Sequence, residues 1–298
     1  MFTRDKGSDV PFVGATGYPL PMEIKKSQQL LPERSFEGRT ALVTGGGTGL
    51  GLAVSTRFGR LGARVLCVSR DPNHHKELVA CGRAEHFDVH SRALDLCDPK
   101  AVRRVVRELA ELCGSIDILV NNAAGNFIRP ALTLAPQAFA KVIDIVLNGA
   151  FSISREVGRI MRAKGGGAIV NVSAPYATTG KQGVVHSACA KAGLEAMTRT
   201  LAAEWAEYGI RVNAISPGPF VSTGAADRLW PSEELEKAVL SQIPLGRFAS
   251  TAEIAEFVCL LASPATEWVT GAVWLADGGW TLPRSLVDDP GPVLRRRR

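Results

Sequence analysis

From Arg39 onward the hydrophobic positions fall into two alternating rhythms. Short, nearly continuous apolar runs give way to longer stretches in which apolar residues recur every three or four positions. The first pattern marks strands covered on both faces, the second amphipathic helices. Strand-like runs fall at 40–44, 63–68, 93–94, 116–120, 168–172, 210–215 and 273–275. Helical spacing covers 50–61, 99–112, 137–162 and 184–207. This succession predicts an α/β fold, a single doubly wound domain whose seven-stranded parallel sheet carries helices on both faces.

The boundaries follow from the same pattern. Residues 1–35 read as an N-terminal extension, 36–282 as the catalytic domain and 283–298 as a C-terminal tail. Residues 224–243 interrupt the last unit, as insertions that shape a substrate pocket do. Hydrophobic residues make up 46% and charged residues 21% of the chain, proportions of a folded core rather than of a disordered chain. No apolar run reaches the roughly 18 residues of a membrane span. Asp5, Lys6, Asp9, Pro11 and Pro21 make the N-terminus a poor signal peptide, so a cytoplasmic location is expected. Without Arg295, Arg296, Arg297 and Arg298 the net charge of +6 falls to +2, which argues against a nucleic-acid surface. Six cysteines with no paired spacing are expected as free thiols, and no metal site is expected.

The first strand runs into Thr44-Gly45-Gly46-Gly47-Thr48-Gly49-Leu50-Gly51 and then a helix. Glycines allow a tight turn and close approach of backbone N–H groups to a pyrophosphate, and the helix N-terminus adds a favourable dipole. A dinucleotide site of the Rossmann kind is therefore expected. At the end of the second strand stand Ser69 and Arg70, a hydroxyl and a guanidinium suited to a ribose 2′-phosphate, which favours NADPH (or NADP+). Asp71, the next residue, keeps NAD as the alternative.

This TGxxxGxG spacing resembles the short-chain dehydrogenase/reductase family, and further segments match it in order from Arg39 to about Gly279. Asp95 and Leu96 resemble the adenine contact, and Asn121-Asn122-Ala123-Ala124-Gly125 resembles the family's NNAG segment. Asn148 falls where the family carries a helix asparagine. Ser216-Pro217-Gly218-Pro219 matches the turn beside the nicotinamide. The resemblance thus implies cofactor contacts at Gly45, Thr48, Gly49, Leu50, Gly51, Ser69, Arg70, Asp95, Leu96, Asn122, Ala123, Ala124, Lys191, Pro217, Gly218 and Phe220. It also implies a homotetramer packed through residues 271–280.

The catalytic segment departs from the family. Where a Tyr-x-x-x-Lys pair is usual, the chain reads Ser187-Ala-Cys-Ala-Lys191, and the family's upstream serine is replaced by Ala174. Ser173, its neighbour, faces the other way on an extended strand. A degenerate protein that binds cofactor without chemistry is one reading, a rebuilt active site the other. Tyr176 lies eleven positions before Ser187, and Asn126 follows the NNAAG segment. That combination resembles the 2,4-dienoyl-CoA reductases of the mitochondrial type. The resemblance implies Tyr176, Lys191, Asn126 and Ser187 as catalytic residues, with Asn126 and Phe127 at an acyl-CoA substrate. Tyr176 and Asn126 are the expected oxyanion donors for the thioester, since aimed donors stabilise charge where it develops. Reduction of a carbonyl or of a trans-2-enoyl thioester stays as the enzymatic alternative, and a non-catalytic NADP-binding scaffold as the other. Arg129 and Arg228 are candidates for the CoA phosphates. His186 turns about 100° from Ser187 on the helix and reads as structural.

Overall fold

The computed structural model describes residues 29–221 and 232–282. Seven parallel strands form one sheet in the order β3-β2-β1-β4-β5-β6-β9, with β1 at Thr40–Thr44, β2 at Arg64–Ser69 and β3 at Val89–Ala93. β4 is Ile118–Asn121, β5 Gly167–Val172, β6 Ile210–Pro217 and β9 Val273–Ala276, while β7 (Phe220–Val221) and β8 (Ala249–Ser250) pair apart from this sheet. The doubly wound prediction holds. The strand order reverses between β1 and β4, the switch point outside which such sheets bind ligands.

Why these runs became strands is visible in their cover. Every residue of β1 and β4 is buried, because helices lie on both faces. On one face α1 (Gly49–Arg60) sets Leu50, Val54 and Phe58 against the sheet beside Ile254, Val258 and Leu261 of α9 (Thr251–Ala262). The other face takes Val102, Val105 and Leu109 from α3 (Pro99–Cys113), Ile153, Val157 and Met161 from α5 (Gly149–Lys164), and Leu201 from α7 (Val185–Trp205). Part of the predicted extension joins this body. Leu31 of that extension is buried, as is Phe36 at the start of the predicted domain, whose ring meets that of Phe58 edge-on at 5.0 Å.

Local signals end and start these helices. Asp98 accepts hydrogen bonds from Lys100 and Ala101 N–H, Pro99 follows it, and Gly114 stops α3 at a φ of +80°. Ser250 and Glu253 close a capping box on α9.

The structure corrects two expectations and adds a helix. The third strand is Val89–Ala93 rather than 93–94; as the sheet's edge it is half exposed, so its sequence Val-His-Ser-Arg-Ala lacks an apolar run. The helix expected over 137–162 is α4 (Pro136–Ile143), a π-helical turn (Asp144–Asn148) and α5 in succession. The polar segment after β2 holds α2 (Lys76–Glu85). Of the predicted insertion, residues 232–243 are described and carry α8 (Glu233–Leu240); the tail 283–298 lies outside the described residues. All six cysteines are free.

Candidate active site

A cleft of about 1140 Å³ opens across the carboxyl ends of the strands. At its first end Thr44 leaves β1 and Gly45 turns at a φ of +63°, its N–H donating to the Val68 carbonyl at 2.7 Å. Thr48 precedes α1 in an extended conformation, and its side chain caps nothing. The first-turn N–H groups of α1 are therefore open to an anion, with no acidic residue nearby in the turn to repel it. Glycine is obligatory here: a Cβ on Gly51 would lie 2.0 Å from the Gly45 carbonyl oxygen, and one on Gly47 1.9 Å from that of His74. Thr44 Oγ1 accepts the Asn122 and Ala123 N–H groups at 3.0 and 2.9 Å, and Asn122 Nδ2 donates to the Thr44 carbonyl at 3.0 Å. These bonds lock the loop after β4 to the loop after β1. The uncapped turn and the glycine cradle fit a dinucleotide pyrophosphate.

The end of β2 assigns its polar groups unequally. Ser69 Oγ donates to the Asp71 carbonyl at 2.9 Å and pairs with His75 Nε2 at 2.7 Å, so its hydroxyl is held inside its own loop. Asp71 Oδ1 accepts both the backbone N–H and the side-chain amide of Asn73, each at 2.9 Å. Chiefly through that backbone bond, its carboxyl stays below the usual range. Arg70 is exposed in the cleft wall and makes no hydrogen bond or ion pair among the described residues.

At the other end, four residues from three elements converge. Tyr176 opens the short helix α6 (Tyr176–Thr179), Ser187 and Lys191 sit one turn apart on α7, and Asn126 follows β4. Asn126 Nδ2 donates to the Tyr176 hydroxyl at 3.2 Å, and that hydroxyl meets Ser187 Oγ at 3.0 Å. The Phe127 N–H donates to Asn126 Oδ1 at 2.9 Å, which turns the amide so that its nitrogen faces the tyrosine. Burial pushes the Tyr176 phenol up, with Ser187 pulling it partly back, so it stays a neutral donor. Lys191 Nζ donates to the Val172 carbonyl; burial brings its ammonium down to about 8, against the pull of Glu195.

Every predicted cofactor residue lines the cleft, as do Asn126 and Tyr176. Ser187 does not: it is 1% exposed, directly behind the tyrosine. Phe127 is also corrected. Its ring stacks on His186 at 4.2 Å, away from the cleft wall, so it supports Asn126 rather than touching the space for a substrate. His186 is fully buried, and neither ring nitrogen has a hydrogen-bond partner among the described residues, which fits its structural reading. Asn148 ends the π-helical turn between α4 and α5; its side chain is exposed, donates to Asp144 at 2.8 Å and does not line the cleft. Arg129 is exposed outside the cleft, and Arg228 lies outside the described residues. Sequence reasoning missed Lys181 and Trp280 in the cleft wall, whereas Leu235 and Val239 of α8, with Gln242 just beyond it, roof the cleft from within the insertion expected to shape the pocket. An insertion beside a predicted pocket was the one available signal for α8.

Among the described residues no helix is long and apolar enough to cross a membrane. Residues 45–281 match the family model described as enoyl-(acyl carrier protein) reductase. A probable 2,4-dienoyl-CoA reductase of Bacillus subtilis, named as (2E)-enoyl-CoA-producing, is 38% identical over 83% of this chain and 99% of its own. The peroxisomal 2,4-dienoyl-CoA reductase of Pongo abelii, named as (3E)-enoyl-CoA-producing, is 38% identical over 83% of this chain and 86% of its own. A putative gluconate 5-dehydrogenase from Beutenbergia cavernae, solved with bound NADP, superposes with a TM-score of 0.79 at 33% identity, covering 84% of this chain and 99% of that one. By the family-model match over residues 45–281 and by these relatives, the chain belongs to the short-chain dehydrogenase/reductase family of oxidoreductases.

Proposed function

We propose that the protein is an NADPH-dependent reductase of 2,4-dienoyl-CoA thioesters. The observation that carries this reading is the Tyr176 hydroxyl, held between Asn126 Nδ2 and Ser187 Oγ where the family's usual tyrosine is replaced by Ser187. The names of the relatives support the substrate class. Arg70, without a hydrogen-bond or ion-pair partner among the described residues, together with Asp71, tied to Asn73, supports a 2′-phosphate over a bare ribose hydroxyl.

Gly45, Gly49, Gly51, Asn122 and Lys191 would hold the dinucleotide, whose nicotinamide supplies hydride when bound. Hydride taken at the far end of the diene drives electron density through the conjugated system onto the thioester oxygen. Tyr176 aims its O–H at that oxygen while accepting from Asn126, and the second N–H of Asn126 provides a neighbouring donor. With Ser187 as the donor in its 3.0 Å bond to the tyrosine oxygen, the phenolic proton is left for the substrate. Lys191 adds positive potential beneath both. The α-carbon then takes one proton from solvent or from a donor in the cleft, which restores the carbonyl and leaves a 3-enoyl thioester. Leu235, Val239 and Trp280 give the cleft an apolar wall for the acyl chain.

The outer strand β9 leaves Leu275 exposed, which supports the homotetramer; light scattering on the purified protein checks it. The activity itself is tested by following NADPH absorbance with dienoyl-CoA substrates of several chain lengths and locating the product double bond by NMR. A 3-enoyl product is expected. An alcohol product would transfer the protein to carbonyl reduction, and unchanged absorbance across the series would refute the proposal.

A further inference from the structure

The donors at Tyr176 and Asn126 leave one acidic group behind the cleft unexplained. Glu195 stands one helical turn beyond Lys191 on α7, and the two are 4% and 5% exposed. Both dock on consecutive residues at the carboxyl end of β5. Lys191 Nζ donates to the Val172 carbonyl, and Ser173 Oγ donates to Glu195 Oε1 at 2.6 Å. Glu195 does not line the cleft, so it is not placed to touch a substrate. A carboxylate buried this deeply needs a cation, and residues four apart share a helix face.

We propose that Glu195 is a positioning residue: it is the buried counter-charge that keeps Lys191 an ammonium at the floor of the cleft, with Ser173 anchoring its carboxylate. This rests on the proposed function for what the ammonium serves, but not for the pairing itself. Among the described residues the neighbouring elements offer no substitute. β5 carries no charged residue, and Tyr176 on α6 is neutral. Lys141 on α4 and Asp144 in the π-helical turn are exposed, the latter bonded to Asn148. Arg211 on β6 is bound by the Leu261, Ser263 and Val269 carbonyls. Burial lowers the Lys191 ammonium, and the charge of Glu195 one turn along α7 works against that lowering.

The test follows Lys191 directly by heteronuclear NMR of isotope-labelled lysine side chains in the full-length, cofactor-free protein, with the signal assigned by its loss in Lys191→Met. Glu195→Gln is expected to lower the Lys191 midpoint by about one to two pH units, the size of one charge a helical turn away in a partly polar interior. Glu195→Asp restores part of the shift, and Ser173→Ala moves the midpoint less than Glu195→Gln does. The alkaline limb of the kcat/KM profile moves with it. A folded Glu195→Gln protein with an unchanged midpoint overturns the proposal. Should that variant fail to fold, the carboxyl carbon signal of Glu195 in the unmodified protein decides: ionised at neutral pH supports the pairing, protonated overturns it. Absence of turnover with dienoyl-CoA would sink the proposed function while leaving this titration as decisive as before.

Discussion

Replacing Tyr176 by Phe removes one oxygen and keeps the ring, so its effect isolates the hydroxyl. That oxygen has two protein partners, Asn126 Nδ2 at 3.2 Å and Ser187 Oγ at 3.0 Å, and in the proposed reaction it adds the thioester oxygen as a third. Loss of one preorganised donor to a developing oxyanion lowers kcat by about 10²–10³, or about 2.7–4 kcal/mol of transition-state stabilisation. Asn126 remains as a second donor, so the residual rate should exceed that of the double variant with Asn126→Ala. A separate effect falls on stability. Ser187, 1% exposed, loses its partner, and an unsatisfied buried hydroxyl costs about 1–3 kcal/mol. The assay is therefore steady-state NADPH oxidation with a dienoyl-CoA, run beside NADPH titration by protein fluorescence and a thermal melt. The expected result is a collapsed kcat with KM and cofactor affinity nearly unchanged, since the lost interaction forms mainly in the transition state. A Tyr176→Phe enzyme with kcat within a few-fold of wild type would refute the oxyanion role.

Three further outcomes are expected. Arg70→Ala should weaken NADPH binding by roughly tenfold to a hundredfold, the worth of a charge-assisted contact to phosphate, and leave NADH binding unchanged; equal losses for both would count against the 2′-phosphate reading. Gly51→Ala should abolish NADPH binding or folding, because its Cβ would lie 2.0 Å from the Gly45 carbonyl oxygen; a crystal structure with the turn undisturbed would contradict the steric argument. His186 is held below its ordinary value of 6.5, first by burial, so the folded state resists protonation. Its contribution to stability is complete above 6.5 and falls away as pH drops from there toward the folded value, where the unfolded chain binds the extra proton. His186→Phe, which preserves the stack on Phe127, should lose that acid sensitivity in urea titrations, and an unaltered pH dependence would show that another group is responsible.

The sheet and the cofactor turn were legible because their signals are local. Strands buried on both faces must be apolar throughout, as in Thr40–Thr44, and a turn that brings Gly51 against Gly45 admits no Cβ. The edge strand Val89–Ala93 escaped because half of it meets water and its sequence need not be apolar. Phe127 was misplaced for a related reason: adjacency in sequence does not say which way a loop presents a side chain, and the Phe127 ring faces His186.

The sequence by itself determined the parallel α/β domain and the glycine turn, because each is written in spacing or in residue chemistry over short stretches, while the family resemblance singled out Tyr176, Asn126, Ser187 and Lys191. Only the tertiary structure decided how those residues meet. Packing of α6 against α7 brings Tyr176 to Ser187 across eleven residues, and the loop after β4 brings Asn126 to Tyr176 across fifty. It also decided that α8 and Trp280 roof the cleft and that Glu195 lies buried beside Lys191. Hydrogen bonds and burial of this kind depend on distances between segments remote in the chain, and those distances exist only once the sheet has formed and its helices have packed.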